Sequence, residues 1–150
     1  MLEGRAGMER IVVDASVVVK WFVPEKDAGK ALELRDLYVR GDIELLSPTL
    51  LYYEVLNALR YHPYYRLTEM QLLRIVKTLK DMQITVEPTA ETWLNAFKLS
   101  LSEDTSVYDA VYMAMALSFD GKLITSDKRL VKKLGGKLRR RVQLLETSNL

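Results

Sequence analysis

The sequence predicts an α/β fold: one parallel sheet covered by helices on both faces. Three observations carry this. Short apolar, β-branched runs alternate with longer segments of helical apolar spacing along the whole chain. Two of those runs, Ile11–Val13 in IVVDAS and Leu123–Ile124 in LITSD, end on a polar turn that carries an acid. The helical segments open on Ser, Thr or Asp, as helices do when a side chain satisfies their first free N–H groups.

The elements follow in order. Arg10–Trp21, RIVVDASVVVKW, is a buried strand that stops at Asp14, followed by a short apolar helix. After Pro24, Asp27 is placed to cap a helix through Ala28, Ala31, Leu32, Leu34 and Leu37, closed by Gly41. Ile43–Leu46 is a second strand. Ser47-Pro48 is expected to open the next helix, with Pro48 in its first turn, running past Leu50, Leu51, Glu54, Val55 and Leu59 to His62-Pro63. Thr68 and Gln71 form a capping box for a helix with the stripe Leu72, Leu73, Ile75, Val76 and Leu79. Ile84–Val86 is a third strand. Thr89 caps a helix carrying Trp93, Leu94, Phe97 and Leu101, and Ser106 caps a strongly apolar one from Val107 to Leu117. A strand at Leu123–Ile124, a helix over Lys128–Leu134 ended by Gly135-Gly136, and a strand over Arg141–Leu145 complete the pattern. Trp21 and Trp93 are expected in the core.

The chain of 150 residues, 49% hydrophobic, suits one domain, expected over 10–146 with 1–9 a flexible extension and Met8 an alternative start. A formal charge of +2 does not itself announce a nucleic-acid binder. Without cysteine there are no disulfides or thiolate metal sites, so a metal would be held by oxygen ligands or by His62, the single histidine. His62, beside Pro63, reads better as a helix end than as a ligand. No apolar run reaches a membrane span, and MLEGRAGMER lacks the apolar core of a signal peptide, so a cytoplasmic protein is expected.

In a parallel sheet all strand carboxyl ends share one edge, with the amino ends of the following helices. Asp14, Asp127 and Asp109, in the first turn of its helix, belong to that edge, and Glu54, two turns into its helix, leans over the same rim. Each has a plainer reading: Asp14 and Asp127 as helix caps, Asp109 as half of a Ser106-x-x-Asp109 capping box, Glu54 as a surface acid. Their joint placement favours a shared site. Four carboxylates around one depression repel unless a cation or protons neutralise them, and oxygen ligation suits Mg²⁺ or Mn²⁺. Ser16, Asn57 and Thr125 are polar neighbours placed to bond a ligand or its water, although for Ser16 and Asn57 local turn hydrogen bonding is the better reading. Lys128, Arg129 and Lys132 open a basic run, free of acids, that continues through Lys133, Lys137, Arg139, Arg140 and Arg141 and suits a phosphate backbone, while a solvated helix face explains Lys132 and Lys133 about as well. Tyr52, Tyr53 and Tyr61 fit either an interface or base stacking.

Together IVVDASVVVKW, YYEVLNAL, SVYDAVYMAMA and LITSD resemble the PIN-domain family over about Arg10 to Leu145, and within it the VapC-type toxins of toxin–antitoxin pairs. The resemblance implies a three-layer α/β/α sandwich whose five-stranded parallel sheet has the order 3-2-1-4-5. It implies an endoribonuclease using Mg²⁺ or Mn²⁺, with metal-activated water cutting a phosphodiester to leave a 5′-phosphate. Asp14, Glu54, Asp109 and Asp127 match the family's acidic positions, and Ser16, Asn57 and Thr125 its supporting ones; Asp104 is treated as peripheral. An antitoxin partner and a homodimer are implied, with the tyrosine-rich segment Tyr52–Tyr65 a candidate surface for either. The rivals are a PIN-like module that binds RNA or protein without catalysis, and another metal-dependent phosphate-handling α/β enzyme. Against the latter, Ser16 stands where a haloacid-dehalogenase-like pattern wants a second aspartate.

Overall fold

The structure, a computed structural model, describes residues 7–149. Five parallel strands form one sheet in the order β3-β2-β1-β4-β5. They are β1 (Glu9–Val13), β2 (Ile43–Pro48), β3 (Thr85–Val86), β4 (Lys122–Thr125) and β5 (Val142–Leu144). Of the expected extension 1–9, residues 1–6 lie outside the described residues, and β1 already begins at Glu9, paired with Ile43. The helices are α1 (Ala15–Val18), α2 (Ala28–Val39), α3 (Leu50–Arg60), α4 (Glu69–Asp81), α5 (Ala90–Glu103), α6 (Val107–Ser118), α7 (Lys128–Lys133) and α8 (Gly136–Arg139). Strands are added to one side of β1 as far as β3, and then to the other. With right-handed crossovers, that reversal puts the helices before and after β3 on opposite faces. Among the described residues no helix is long and apolar enough to cross a membrane.

The core is built from Ile11, Val12 and Val13 of β1, Leu45 and Leu46 of β2, and Leu123 and Ile124 of β4. These central strands are covered on both faces, which is why they read as unbroken apolar runs. Over them lies α6, whose seven consecutive residues Ala110–Ala116 are all buried, because α5 covers its other side. Trp21 is buried and donates its indole N–H to the Ala31 carbonyl at 2.8 Å.

Several expectations are corrected. Trp93 is not in the core: it is half exposed, as are Leu94 and Phe97, and Leu101 is more so. Helix α5 instead seats Thr92 and Ala96 against the alanine-rich α6, where only small side chains allow two helices so close an approach. Ser47-Pro48 ends β2 rather than opening α3; the edge strand β3 is only two residues long. Asp27 precedes α2 in a left-handed conformation (φ 65°) and makes no side-chain cap. The capping box Thr68–Gln71 and the caps at Thr89 and Ser106 form as predicted. On α4, Ile75 and Leu79 are buried, but Leu73 is largely exposed.

Two glycines serve different ends. Gly41 ends α2 with φ +82°, the conformation that favours glycine. At the end of α6 the left-handed residue is Asp120 (φ 52°), and Gly121 is needed for another reason: a Cβ there would collide with the Arg10 carbonyl of β1. Gly121→Ala is therefore expected to destabilise the fold by about 1–3 kcal/mol through backbone displacement, read as a lower urea midpoint at unchanged m-value. The same substitution at exposed Gly29, where the added Cβ meets nothing, is the control.

Candidate functional site

The site starts from sheet register. Val13 pairs with Ile124, so the next residues, Asp14 and Thr125, face each other where β1 and β4 end. This is the point at which strand order reverses, where open α/β sheets take their ligands. Asp14 leaves β1 in an extended conformation (ψ 177°) and becomes the N-cap of α1. Its Oδ1 accepts the Ser16 N–H at 3.1 Å and the Ser16 hydroxyl at 2.5 Å, and its Oδ2 accepts the Thr125 hydroxyl at 2.5 Å. Each hydroxyl in turn accepts a backbone N–H from the following turn: Ser16 from Ser126 at 2.8 Å, Thr125 from Asp127 at 3.1 Å. Ser16 and Thr125 thus lock the β4–α7 turn onto Asp14. Behind them, buried Ser47 donates its hydroxyl to the Val13 carbonyl at 2.5 Å and ties in the end of β2.

Asp109 and Asp127 arrive on helix amino ends. The Ser106 hydroxyl accepts the Asp109 N–H at 3.0 Å, placing Asp109 in the first turn of α6. Asp127 caps α7, its Oδ1 accepting the Leu130 N–H at 3.0 Å, so capping and site membership coincide. Glu54 stands half-buried on α3 between Leu51 and Val55. Asn57 lies one turn further along α3 and is exposed. Lys128 pairs with Glu146 at 3.3 Å; Arg129 and Lys132 are exposed beside Asp127.

The acids act on one another. Burial raises the Asp14 carboxyl to about 6, against its bonds to Ser16 and Thr125 and the Val17 N–H, with a further push from the Asp109 charge. Burial likewise raises Glu54, and Asp109 adds to it. Asp109 itself is raised by burial and then by Asp127, with Ser106 and Lys133 pulling the other way. Asp109 is the hub, coupled to each of the other three.

Two residues of the site escaped the sequence reading. Tyr112 is buried, and its phenol is held protonated by burial and by the charges of Glu54, Asp14 and Asp109. It lies three residues after Asp109, on the same face of α6, and is the one hydroxyl in an Ala/Val/Met stretch. Lys133, expected either on a phosphate-binding rim or on a solvated helix face, donates to the Asp104 carbonyl at 3.2 Å, and its charge acts on Asp109. Asp104 serves through its backbone, as the left-handed C-cap of α5 (φ 52°). His62 binds within the protein: one ring nitrogen meets Glu25 at 2.6 Å and the other accepts the N–H groups of Tyr64 and Tyr65.

The donor set fits a hard divalent cation: oxygen ligands and several acids, with the Lys133 charge set against Asp109. Among the described residues the two buried side-chain oxygens without a hydrogen-bond partner, Tyr112 Oη and Ser126 Oγ, are both at this edge. Proximity to Glu54 raises the Tyr112 phenol without closing a bond of good geometry. No three acids of the described residues stand close enough to enclose an ion directly. An ion held here would therefore be held in part through water, a mode open to Mg²⁺, which keeps several waters and takes few direct carboxylates.

A five-stranded 3-2-1-4-5 sheet with acids gathered at its switch point defines a recognisable class, and the chain belongs to the PIN-domain family, whose model matches residues 11–136. It is similar to Ribonuclease VapC3 of Pyrobaculum aerophilum, 34% identical over 127 residues that cover 83% of this chain and 94% of that protein. Its fold is similar to the crystal structure of PAE2754 from the same organism (TM-score 0.66, 22% identity, 93% of each chain). It is also similar to a toxin–antitoxin complex from Klebsiella pneumoniae (TM-score 0.65, 18% identity, 90% of this chain and 97% of that one).

The raised Asp14 carboxyl carries a stability prediction. Folding lifts this pKa from 3.8 to about 6, so the folded state binds the proton more tightly. The group is neutral in its effect below pH 4, and it increasingly disfavours folding as pH rises to about 6. Asp14→Asn is expected to stabilise the metal-free protein by about 1–3 kcal/mol at pH 7.5, with the gain shrinking towards pH 4.5. Urea titrations in EDTA at the two pH values measure it; a gain equal at both would refute it.

Proposed function

We propose that the protein is a Mg²⁺- or Mn²⁺-dependent endoribonuclease, the toxin of a VapBC-type toxin–antitoxin pair, working in the cytoplasm. The observation that carries this reading is the Asp14–Asp109–Asp127 constellation at the switch point, with Asp109 coupled by charge to Asp14, Glu54 and Asp127. The similarity to Ribonuclease VapC3 supports RNA as substrate, and the neighbour named as a toxin–antitoxin complex supports an antitoxin partner.

Asp14, Asp109 and Asp127 would hold the ion, directly or through water, and Glu54 from further out. A divalent ion there supplies positive charge to the scissile phosphate and acidifies a water for attack. The protein residues do the positioning. Ser16 and Thr125 donate to Asp14, which keeps its carboxylate from turning. Tyr112, kept protonated by burial and by its acid neighbours, stands near Glu54 without a closed bond to it, which leaves that carboxylate free to orient water. Lys128, Arg129 and Lys132 stand on the rim as phosphate contacts, and Asn57 as an outer polar contact. A PIN-like module that only binds RNA would have no use for acids held at such electrostatic cost.

Purified protein is expected to cut RNA with Mg²⁺ or Mn²⁺ and not with EDTA. Asp14→Asn and Asp109→Asn should each lower the rate at least about a hundredfold, and Glu54→Gln about 10–100-fold. Full metal-dependent cleavage by Asp14→Asn would overturn the assignment. Loss of the Mg²⁺-induced rise in melting temperature in Asp109→Asn would tie the effect to the ion.

The segment Tyr52–Tyr65 exposes Tyr53, Tyr61 and Tyr64, and we assign it to a homodimer or antitoxin interface. Tyr53→Glu with Tyr61→Glu should shift sedimentation from dimer to monomer, or abolish antitoxin capture. A variant that stays dimeric and still binds antitoxin removes this surface from both roles.

A further inference from the structure

Between Lys128 and Arg141 the chain has a single job in the fold. It returns from the carboxyl edge of the sheet, where β4 ends beside the acids, to the amino edge, where the parallel strand β5 begins. Along this strap the sorting by side is complete: Leu130, Val131, Leu134 and Leu138 are buried against the domain, and from Lys128 to Arg140 every exposed residue is lysine, arginine or glycine. An ordinary solvated face mixes both signs. With eight of the chain's 22 Lys and Arg and none of its 20 Asp and Glu, the strap leaves the rest at 14 cations against 20 anions, a balance of −6. The near-neutral total conceals a strongly dipolar molecule.

The strap's charges are also largely available. Lys128 is paired with Glu146, Arg141 with Asp120, and Lys133 donates to the Asp104 carbonyl. Among the described residues Arg129, Lys132, Lys137, Arg139 and Arg140 have no such partner. The first two stand at the acid edge. The last three stand at the foot of the sheet, where Arg140 borders a cleft of about 600 Å³ that also meets Arg10, Lys122 and Arg141, each of them already paired with an acid.

We propose that the α7–α8 strap is an RNA-tracking surface, which holds the phosphate backbone of the substrate from the acid edge down the β5 side to the foot of the sheet. This rests on the nuclease reading for its substrate, and adds to it a binding site remote from the cut, at Lys137, Arg139 and Arg140. The five residues of β1 rise about 17 Å, the reach of about five phosphates in a stacked strand. Five unpaired cations over that height equal in number the phosphates of one strand. RNA long enough to fill the strap gains affinity that a fragment spanning only the acid edge does not.

Fluorescence anisotropy in EDTA with labelled RNAs of about 4 and about 20 nucleotides tests this apart from cleavage. The longer RNA should bind more tightly and with the steeper salt dependence. Lys137→Gln, Arg139→Gln, Arg140→Gln should weaken the longer RNA at least about tenfold, lower its log–log salt slope by about 2 (~0.7 per lost phosphate contact), and leave the shorter one unchanged. A charge-matched control on exposed α4 positions, Arg74→Gln, Lys77→Gln, Lys80→Gln, should do neither. Equal loss with both triple variants, length-independent binding, or preference for a poly-glutamate peptide over RNA would overturn the proposal. Retained length-dependent binding in a protein that cuts no RNA would sustain it and defeat the nuclease reading instead.

Discussion

The arrangement at the carboxyl edge depends on the hydrogen bonds that Ser16 and Thr125 make to the two oxygens of Asp14. They run between the ends of two adjacent strands, and their acceptor sides take the N–H groups of Ser126 and Asp127. One carboxylate therefore determines how the β4–α7 turn leaves the sheet, and with it where Asp127 stands and where α7 starts. The two hydroxyls suit the task because each donates and accepts at once. A residue offering only donors or only acceptors at either position would break the ring.

The same carboxylate is a burden on the metal-free fold. Its hydrogen bonds favour the ionised form, yet burial outweighs them and lifts its pKa to about 6, with the charge of Asp109 adding to the rise. Glu54 and Asp109 are shifted in the same direction for the same reasons. A fold selected for stability alone would not place Asp109 where its charge raises the cost of both Asp14 and Glu54, with Asp127 raising its own. Such strain is reasonable where a ligand relieves it, and the relief then appears as binding energy. The buried hydroxyl of Tyr112, left unbonded among these acids, belongs to the same account.

Much of the site was legible because register turns sequence position into spatial position. Residues just past two apolar runs must share one edge if the strands are parallel neighbours, and there Asp14 faces Thr125, with Asp127 two residues further on. The caps at Thr68, Thr89 and Ser106 were legible because capping is local chemistry. What failed was whatever depended on a partner helix. Trp93, Leu94, Phe97 and Leu101 form a good helical stripe, but α5 packs through the adjacent Thr92 and Ala96 because α6 presents alanines there. Ser47-Pro48 reads locally as a helix start, whereas pairing with Thr85 and Val86 keeps both residues in β2. Lys133 looked like a phosphate-binding rim or solvated surface because its acceptor, the Asp104 carbonyl, is 29 residues away.

Topology also bears on how a polyanion reaches an acidic site. A cluster of carboxylates repels phosphate as strongly as it attracts the cation that would make phosphate welcome. Parallel connection forces one chain segment to leave that edge and descend the side of the molecule to start β5. In this chain that obligatory segment holds all the excess positive charge, while the remainder is net negative. On the proposed reading, a long RNA would meet attraction along one limb and repulsion from the rest, which would narrow its approach as well as raise its affinity. The limb ends at Asp127, so a backbone held along it arrives beside the acids. The path that the fold requires of the protein chain would then be the path it offers to the nucleic acid.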